Sequence, residues 1–181
     1  ITETDVKWSL LEEKDRIWSR VSSWFEHTRI AVGYNTLDKN GTRDQPGGTA
    51  IILRGKIALT STTGVDNSKL GRWVWALLKG TNNINTRIVS VYSPAGSGKG
   101  VSTVYSQQLA VLQEDPIRKF WIDLGEQLRE WIQTGERLII VGDWNEDVSH
   151  PRITEWMEIY GLQEAILQLH GRNPPPTYQR G

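Results

Sequence analysis

Between residues 49 and 92 the chain keeps to β-type runs, and on either side of that block it does not. Residues 49–53, 57–63, 72–78 and 87–92 are rich in β-branched and aromatic side chains and are separated by Gly, Asn and Asp. Four such runs at short spacing predict an antiparallel meander. Upstream, residues 6–27 predict a helix: Leu10, Ile17, Val21 and Trp24 fall near one face, opposite Glu12, Glu13, Lys14 and Arg16. A short strand at 30–32 and a polar loop at 35–48 lead into the block. Downstream come a second loop at 93–100 and helices at 102–113 and 116–134, the latter opened by Pro116. A buried-type strand follows at 137–141, then two short helices at 151–160 and 162–169 split by Gly161. The prolines at 174–176 exclude helix over 173–176. Strands followed by helices, one apolar strand and more helices predict a single α+β layered domain over 1–181, with sheet inside and helices outside.

The 181 residues include no cysteine, which rules out disulfides, thiolate zinc sites and a cysteine nucleophile. His27, His150 and His170 share no metal-ligand spacing, so a bound metal would be held mainly by oxygen: magnesium, calcium or manganese. No apolar run reaches the length of a membrane span and no signal peptide leads the sequence, so no membrane partner is expected; Asn40-Gly41-Thr42 is an isolated glycosylation sequon. Net charge is zero, yet residues 28–110 hold ten basic side chains against Asp38, Asp44 and Asp66, a surplus of seven. That segment either faces a polyanion or is a scatter of solvated lysines and arginines.

Two familiar phosphate and acyl-transfer patterns fail. Gly98-Lys99 lacks the phosphate loop's earlier glycine, where Ser93 stands, and its following Ser or Thr, where Gly100 stands. Around Ser97, Ala95 and Lys99 occupy the places where a nucleophile elbow needs glycine. The more informative segment is Val141-Gly142-Asp143-Trp144-Asn145. An apolar strand ends there in glycine and then offers two polar side chains that alternation sends to one side. The competing account is an Asx turn at the strand end. Tyr92-Ser93-Pro94 ends another β-run on a hydroxyl. Glu3 sits in Ile1-Thr2-Glu3-Thr4-Asp5, and Pro175-Pro176-Thr177-Tyr178 marks a rigid entry into a further segment.

Taken in order, these segments resemble the endonuclease/exonuclease/phosphatase superfamily. Gly142 to Asn145 match its Gly-Asp-x-Asn signature, Tyr92 to Pro94 its Tyr-x-Pro signature, and Thr177-Tyr178 its late Thr-aromatic signature. Glu3 matches the glutamate of its Gln-Glu signature, with Thr2 in the glutamine position, and Gly47-Gly48-Thr49-Ala50 resembles the glycine pair that opens an early strand. Leu70-Gly71-Arg72-Trp73 and the run from Pro176 to Gly181 look like endonuclease domains attached to reverse transcriptases of retroelements. Ala95 stands where relatives that repair abasic DNA often carry asparagine. The family's final Asp and Ser-Asp-His signatures are not in the sequence, and the chain starts at Ile1.

The resemblance implies a DNase I-like layered β-sandwich flanked by helices, C-terminally truncated and lacking its first and last strands. It implies an intracellular, nuclear, Mg (or Mn) dependent phosphodiesterase that nicks DNA, with a reverse transcriptase domain in the same polypeptide. In this mapping Glu3 holds the metal, Asp143 activates water, Asn145 places water or phosphate, and Tyr92 donates to a phosphate oxygen; Arg72, Lys99 and Thr177 contact nucleic acid. The rivals are a phosphatase or phospholipase of the same fold and a catalytically dead nucleic-acid-binding module. Three expectations follow: Glu3, Tyr92, Asp143 and Asn145 converge on one edge of the sheet; DNA binding falls steeply with salt; and the isolated 181-residue piece neither cleaves DNA nor is very stable.

Overall fold

The computed structural model describes residues 1–39, 42–96 and 103–171. Its contacts divide into two compact units, Ile1–Asn145 and Glu146–Gly181.

The first unit holds two sheets. β1 (Thr28–Gly33) and β2 (Thr49–Arg54) form an antiparallel pair with Thr28 opposite Arg54 and Gly33 opposite Thr49. β3 (Ser61–Val65), β4 (Trp73–Leu78), β5 (Thr86–Tyr92) and β6 (Arg137–Asp143) form the second sheet in that order, antiparallel except for the parallel β5–β6 pair. The expected meander is therefore divided: its first run pairs back onto β1, and only the later runs share a sheet.

Alternation along β4 explains how the layers join. Val74 and Ala76, with Ala31 and Ile51, are buried in a core that Leu53, Leu78 and Ile88 extend. Trp73 and Trp75 lie on the other face and pack edge-to-face on Phe120 and Trp131. Those aromatics belong to α4 (Pro116–Gln133), whose apolar stripe Phe120, Trp121, Leu124, Leu128 and Trp131 is buried. Asp115 caps the helix by accepting from Ile117 N–H, and Pro116 opens it.

Two arginines of the basic segment are buried beside this layer. Arg72 pairs with Asp66 and Asp123, each at 2.8 Å, and its guanidinium lies over Trp73. Arg87 pairs with Glu136 and sits between the rings of Trp75 and Trp131. Arg72, at 1 % exposure, cannot contact nucleic acid as expected: its charge is spent on two carboxylates inside the protein. Lys99 and Thr177 lie outside the described residues.

Other expectations need correction. The helix expected at 6–27 is an α-helix only over α1 (Ile17–Trp24), preceded by two 3-10 turns at Trp8–Leu10 and Glu13–Asp15. Its first residues are taken by pairing: Val6 bridges Asp44, and Lys7 N–H donates to the Arg43 carbonyl. The run at 57–63 splits into α2 (Lys56–Thr60) and β3, because Gly55 at φ 67° ends β2 and Arg29 Nε holds the Ala58 carbonyl at 2.9 Å. The apolar strand at 137–141 is not buried on both faces. Among the described residues β6 ends the strand order, and Ile139 and Val141 are each half exposed. The helix expected at 102–113 is α3 (Val104–Leu112).

The second unit contains α5 (Pro151–Ile159) and α6 (Ala165–His170). His150 caps α5 by accepting from Arg152 N–H, and Glu164 caps α6 by accepting from Leu167 N–H. Ile153 and Trp156 are buried. Among the described residues no helix is long and apolar enough to cross a membrane.

Candidate active site

β5 and β6 run parallel and end side by side, with Tyr92 opposite Asp143. Carboxyl ends of adjacent parallel strands are where sheets commonly present chemistry. Ser93 N–H donates to the Asp143 carbonyl at 2.9 Å and carries the pairing one residue further. Gly142, at φ 148°, allows the approach: a Cβ there would stand 2.0 Å from the Val91 carbonyl oxygen.

Beyond Asp143 the chain turns sharply. Asp143 Oδ1 accepts from Asn145 N–H at 2.9 Å, an Asx turn, and Asn145 adopts φ 50°. The turn and the functional arrangement are thus the same structure. Asn145 Nδ2 donates to the Ser93 carbonyl at 2.7 Å, tying the turn to the end of β5. Trp144 points elsewhere: it stacks on Trp121 at 5.3 Å with planes 13° apart and meets the Phe120 ring edge-on.

Glu3 arrives from the amino-terminal strap. Ile1 exchanges backbone hydrogen bonds with Ala50, each at 2.9 Å, and Thr2 bridges Thr49. Glu3 and Asp5 both take left-handed backbones, at φ 52° and 50°, which non-glycine residues adopt only when their surroundings hold them there. What holds them is the Gly47-Gly48 pair. Asp5 N–H donates to the Gly47 carbonyl, and Gly47 N–H donates to Asp5 Oδ1, each at 2.9 Å. Both glycines have φ near +85°, and a Cβ would come within 2.8 Å of Val104 at Gly47 and within 2.5 Å of Thr4 Oγ1 at Gly48.

The two approaches meet at Tyr92. Its phenol, in a residue only 5 % exposed, donates to Glu3 Oε1 at 2.8 Å. Burial raises its pKa well above the ordinary phenol value, and the hydrogen bond to Glu3, the Glu3 charge and the Asp143 charge raise it further, while a hydrogen bond with Asn145 opposes them. Tyr92 therefore stays protonated; Glu3 and Asn145 hydrogen-bond its hydroxyl, and Asp143, opposite Tyr92 at the end of the neighbouring strand, acts on it through its charge. Asp5 and Ser93 were not singled out from the sequence. Their only signal was adjacency to Glu3 and Tyr92, because their roles are made by backbone contacts.

The model of the Endonuclease/Exonuclease/phosphatase family matches residues 1–181. The chain belongs to this family. No curated protein and no solved structure matches it. An endonuclease/exonuclease/phosphatase chain has a DNase I-like fold, here two sheets with six α-helices among the described residues, and a phosphodiesterase or nuclease type of hydrolytic chemistry. The family is typically dependent on a divalent metal. Among the described residues no group of three or more acidic or histidine side chains is placed to hold one. Glu3, whose carboxylate meets Tyr92, offers an oxygen donor of the kind a hard divalent cation takes.

Proposed function

We propose that this family member is a magnesium-dependent DNA endonuclease, nicking target DNA for a retroelement and acting in the nucleus beside a reverse transcriptase domain of the same polypeptide. The observation that supports the chemistry is the meeting of Glu3, Tyr92 and Asn145 at the end of the β5–β6 pair beside Asp143. The retroelement assignment rests on the likeness of Leu70-Gly71-Arg72-Trp73 and of the final six residues to such endonucleases. Nucleic acid is favoured over small phosphoesters by Lys39, Arg43, Arg54, Lys56, Lys69 and Lys79, all exposed in the basic segment.

Glu3 supplies the carboxylate that would hold magnesium, which when bound neutralises charge on the phosphate and the leaving oxygen. Tyr92, kept protonated, donates a hydrogen bond that can pass from Glu3 to a phosphate oxygen. Asp143 takes the proton of the attacking water, and Asn145 orients that water or the phosphate. The strained strap and the Asx turn keep these groups in place before substrate arrives.

The test is nicking of supercoiled plasmid by the full-length protein with magnesium, against Glu3→Gln and Asp143→Asn. Each substitution should lower the rate about a hundredfold or more. Undiminished nicking by either variant overturns the assignment, and release of phosphate from inositol phosphates without nicking redirects it to the phosphatase reading.

A further inference from the structure

The amino-terminal strap lies antiparallel to residues 43–50, but the register between them is not continuous. Ile1 faces Ala50 and Thr2 bridges Thr49, while Thr4 N–H meets the Gly48 carbonyl at 3.4 Å. Two strap residues, Glu3 and Thr4, therefore stand against Gly48 alone, which makes a β-bulge. A bulge bends its strand and takes a side chain out of the regular alternation. Glu3 carries the left-handed φ of 52° in this bulge, and its carboxylate leaves the ladder to accept from the Tyr92 hydroxyl at 2.8 Å.

Pairing resumes at Asp5. Its N–H donates to the Gly47 carbonyl at 2.9 Å, its own carbonyl accepts from Gln45 N–H at 3.1 Å, and Lys7 N–H reaches the Arg43 carbonyl at 2.8 Å. The Asp5 side chain adds a further bond, with Oδ1 accepting from Gly47 N–H at 2.9 Å. Asp5 so holds both the carbonyl and the N–H of Gly47, two residues from Glu3. Past Asp5 the strap is anchored inside the protein. Gln45, 2 % exposed, donates through Nε2 to the Asn35 carbonyl and to Asp38 Oδ2, and the buried Lys7 pairs with Asp38. Glu3 and Asp5 themselves are exposed. The bulge is thus held on this side by a buried anchor and one side-chain clamp, and Asp is among the few non-glycine residues that accept a φ of 50°.

We propose that Asp5 is a positioning residue for Glu3: its carboxylate clamps Gly47 N–H and so sets the direction in which the bulge presents the Glu3 carboxylate. The proposal rests on the reading of Glu3 as the carboxylate that holds the metal. Asp5 acts through Glu3 and touches neither metal nor phosphate, so an uncharged acceptor should serve as well as a charged one. The experiment titrates manganese into the full-length protein without substrate, followed by electron paramagnetic resonance, beside plasmid nicking at varied magnesium. Asp5→Gly removes the clamp, keeps the left-handed backbone accessible and adds no atom to the strap. It should weaken manganese binding about tenfold, the effect common for loss of a group that orients a metal ligand, and raise the magnesium needed for half-maximal nicking by a similar factor. Asp5→Asn keeps the Oδ1 acceptor and tolerates the same backbone, and should bind manganese as the wild type does. Unchanged manganese binding in Asp5→Gly overturns the clamp. A weakening in Asp5→Asn as large as in Asp5→Gly also overturns it, since Asp5 would then act by its charge; either result leaves the reading of Glu3 standing. Glu3→Gln separates the two: if it binds manganese as tightly as the wild type, Glu3 does not hold the metal, and the clamp falls with that reading.

Discussion

Tyr92 keeps its proton where an ordinary phenol, with a pKa of about 10, begins to lose it. Below pH 10 the folded and unfolded chains both hold that proton, so this group adds no pH dependence. Above it the unfolded chain releases the proton while the folded chain retains it, and stability must fall as pH rises. In urea titrations from pH 8 to 11.5, the stability difference between wild type and Tyr92→Phe should be level up to about pH 10 and then shift against the wild type. A difference that stays level throughout means the phenol is not held as described. Gly142 offers a second test at this scale. Gly142→Ala drives a methyl group into the Val91 carbonyl, backbone that cannot step aside, and should cost about 3 kcal/mol. Gly161→Ala has a similar sign of φ but open space around it, and should cost about 1 kcal/mol in the same denaturation experiment.

Among the elements, the turn after β6 depends on α4. Asp143 and Asn145 face the site because the residue between them is anchored on the opposite side, against Trp121 and Phe120. Trp144→Ala should therefore lower kcat more than KM changes, by about tenfold or more, since slight misplacement of reacting groups is costly. Trp144→Phe should recover most of the loss. Because Trp144 is only part buried, the alanine variant should lose about 2 kcal/mol of stability. A rate loss that Trp144→Phe does not recover argues against this anchoring role.

For the molecule as a whole, the charge surplus of the basic segment is smaller at the surface than in the sequence, since Arg72 and Arg87 are neutralised inside. Substituting Arg72 by Met strands Asp66 beside Asp123 and should destabilise the fold by about 3–5 kcal/mol. The exposed side chains behave differently. Arg43 lies opposite the strap at Lys7, four residues from Glu3, and Lys69 is exposed where its carbonyl holds Thr36 N–H. If DNA crosses this surface, log affinity should fall with log salt by about 0.9 per phosphate contacted, and Arg43→Ala with Lys69→Ala should reduce that slope by nearly two contacts' worth. An unchanged slope in filter-binding measurements would place the DNA elsewhere.

The local patterns settled much of this before any tertiary contact is considered. The period of the apolar residues specified β2, β4, β5 and most of α4, whereas the lack of room for a Cβ at Gly47, Gly48 and Gly142 is a product of the fold. The order of Glu3, Tyr92, Asp143 and Asn145 along the chain identified the candidate site, because each ends or borders an extended segment. What the pattern could not carry was partnership between distant segments. Which sheet takes β2, why residues 6–16 are not α-helix, and that β6 pairs with β5 all depend on hydrogen bonds to residues tens of positions away. Arg72 shows the same limit at one side chain. An arginine in a basic stretch has the composition of a nucleic-acid contact, and only the fold, by bringing Asp66 and Asp123 to it, turned that charge inward.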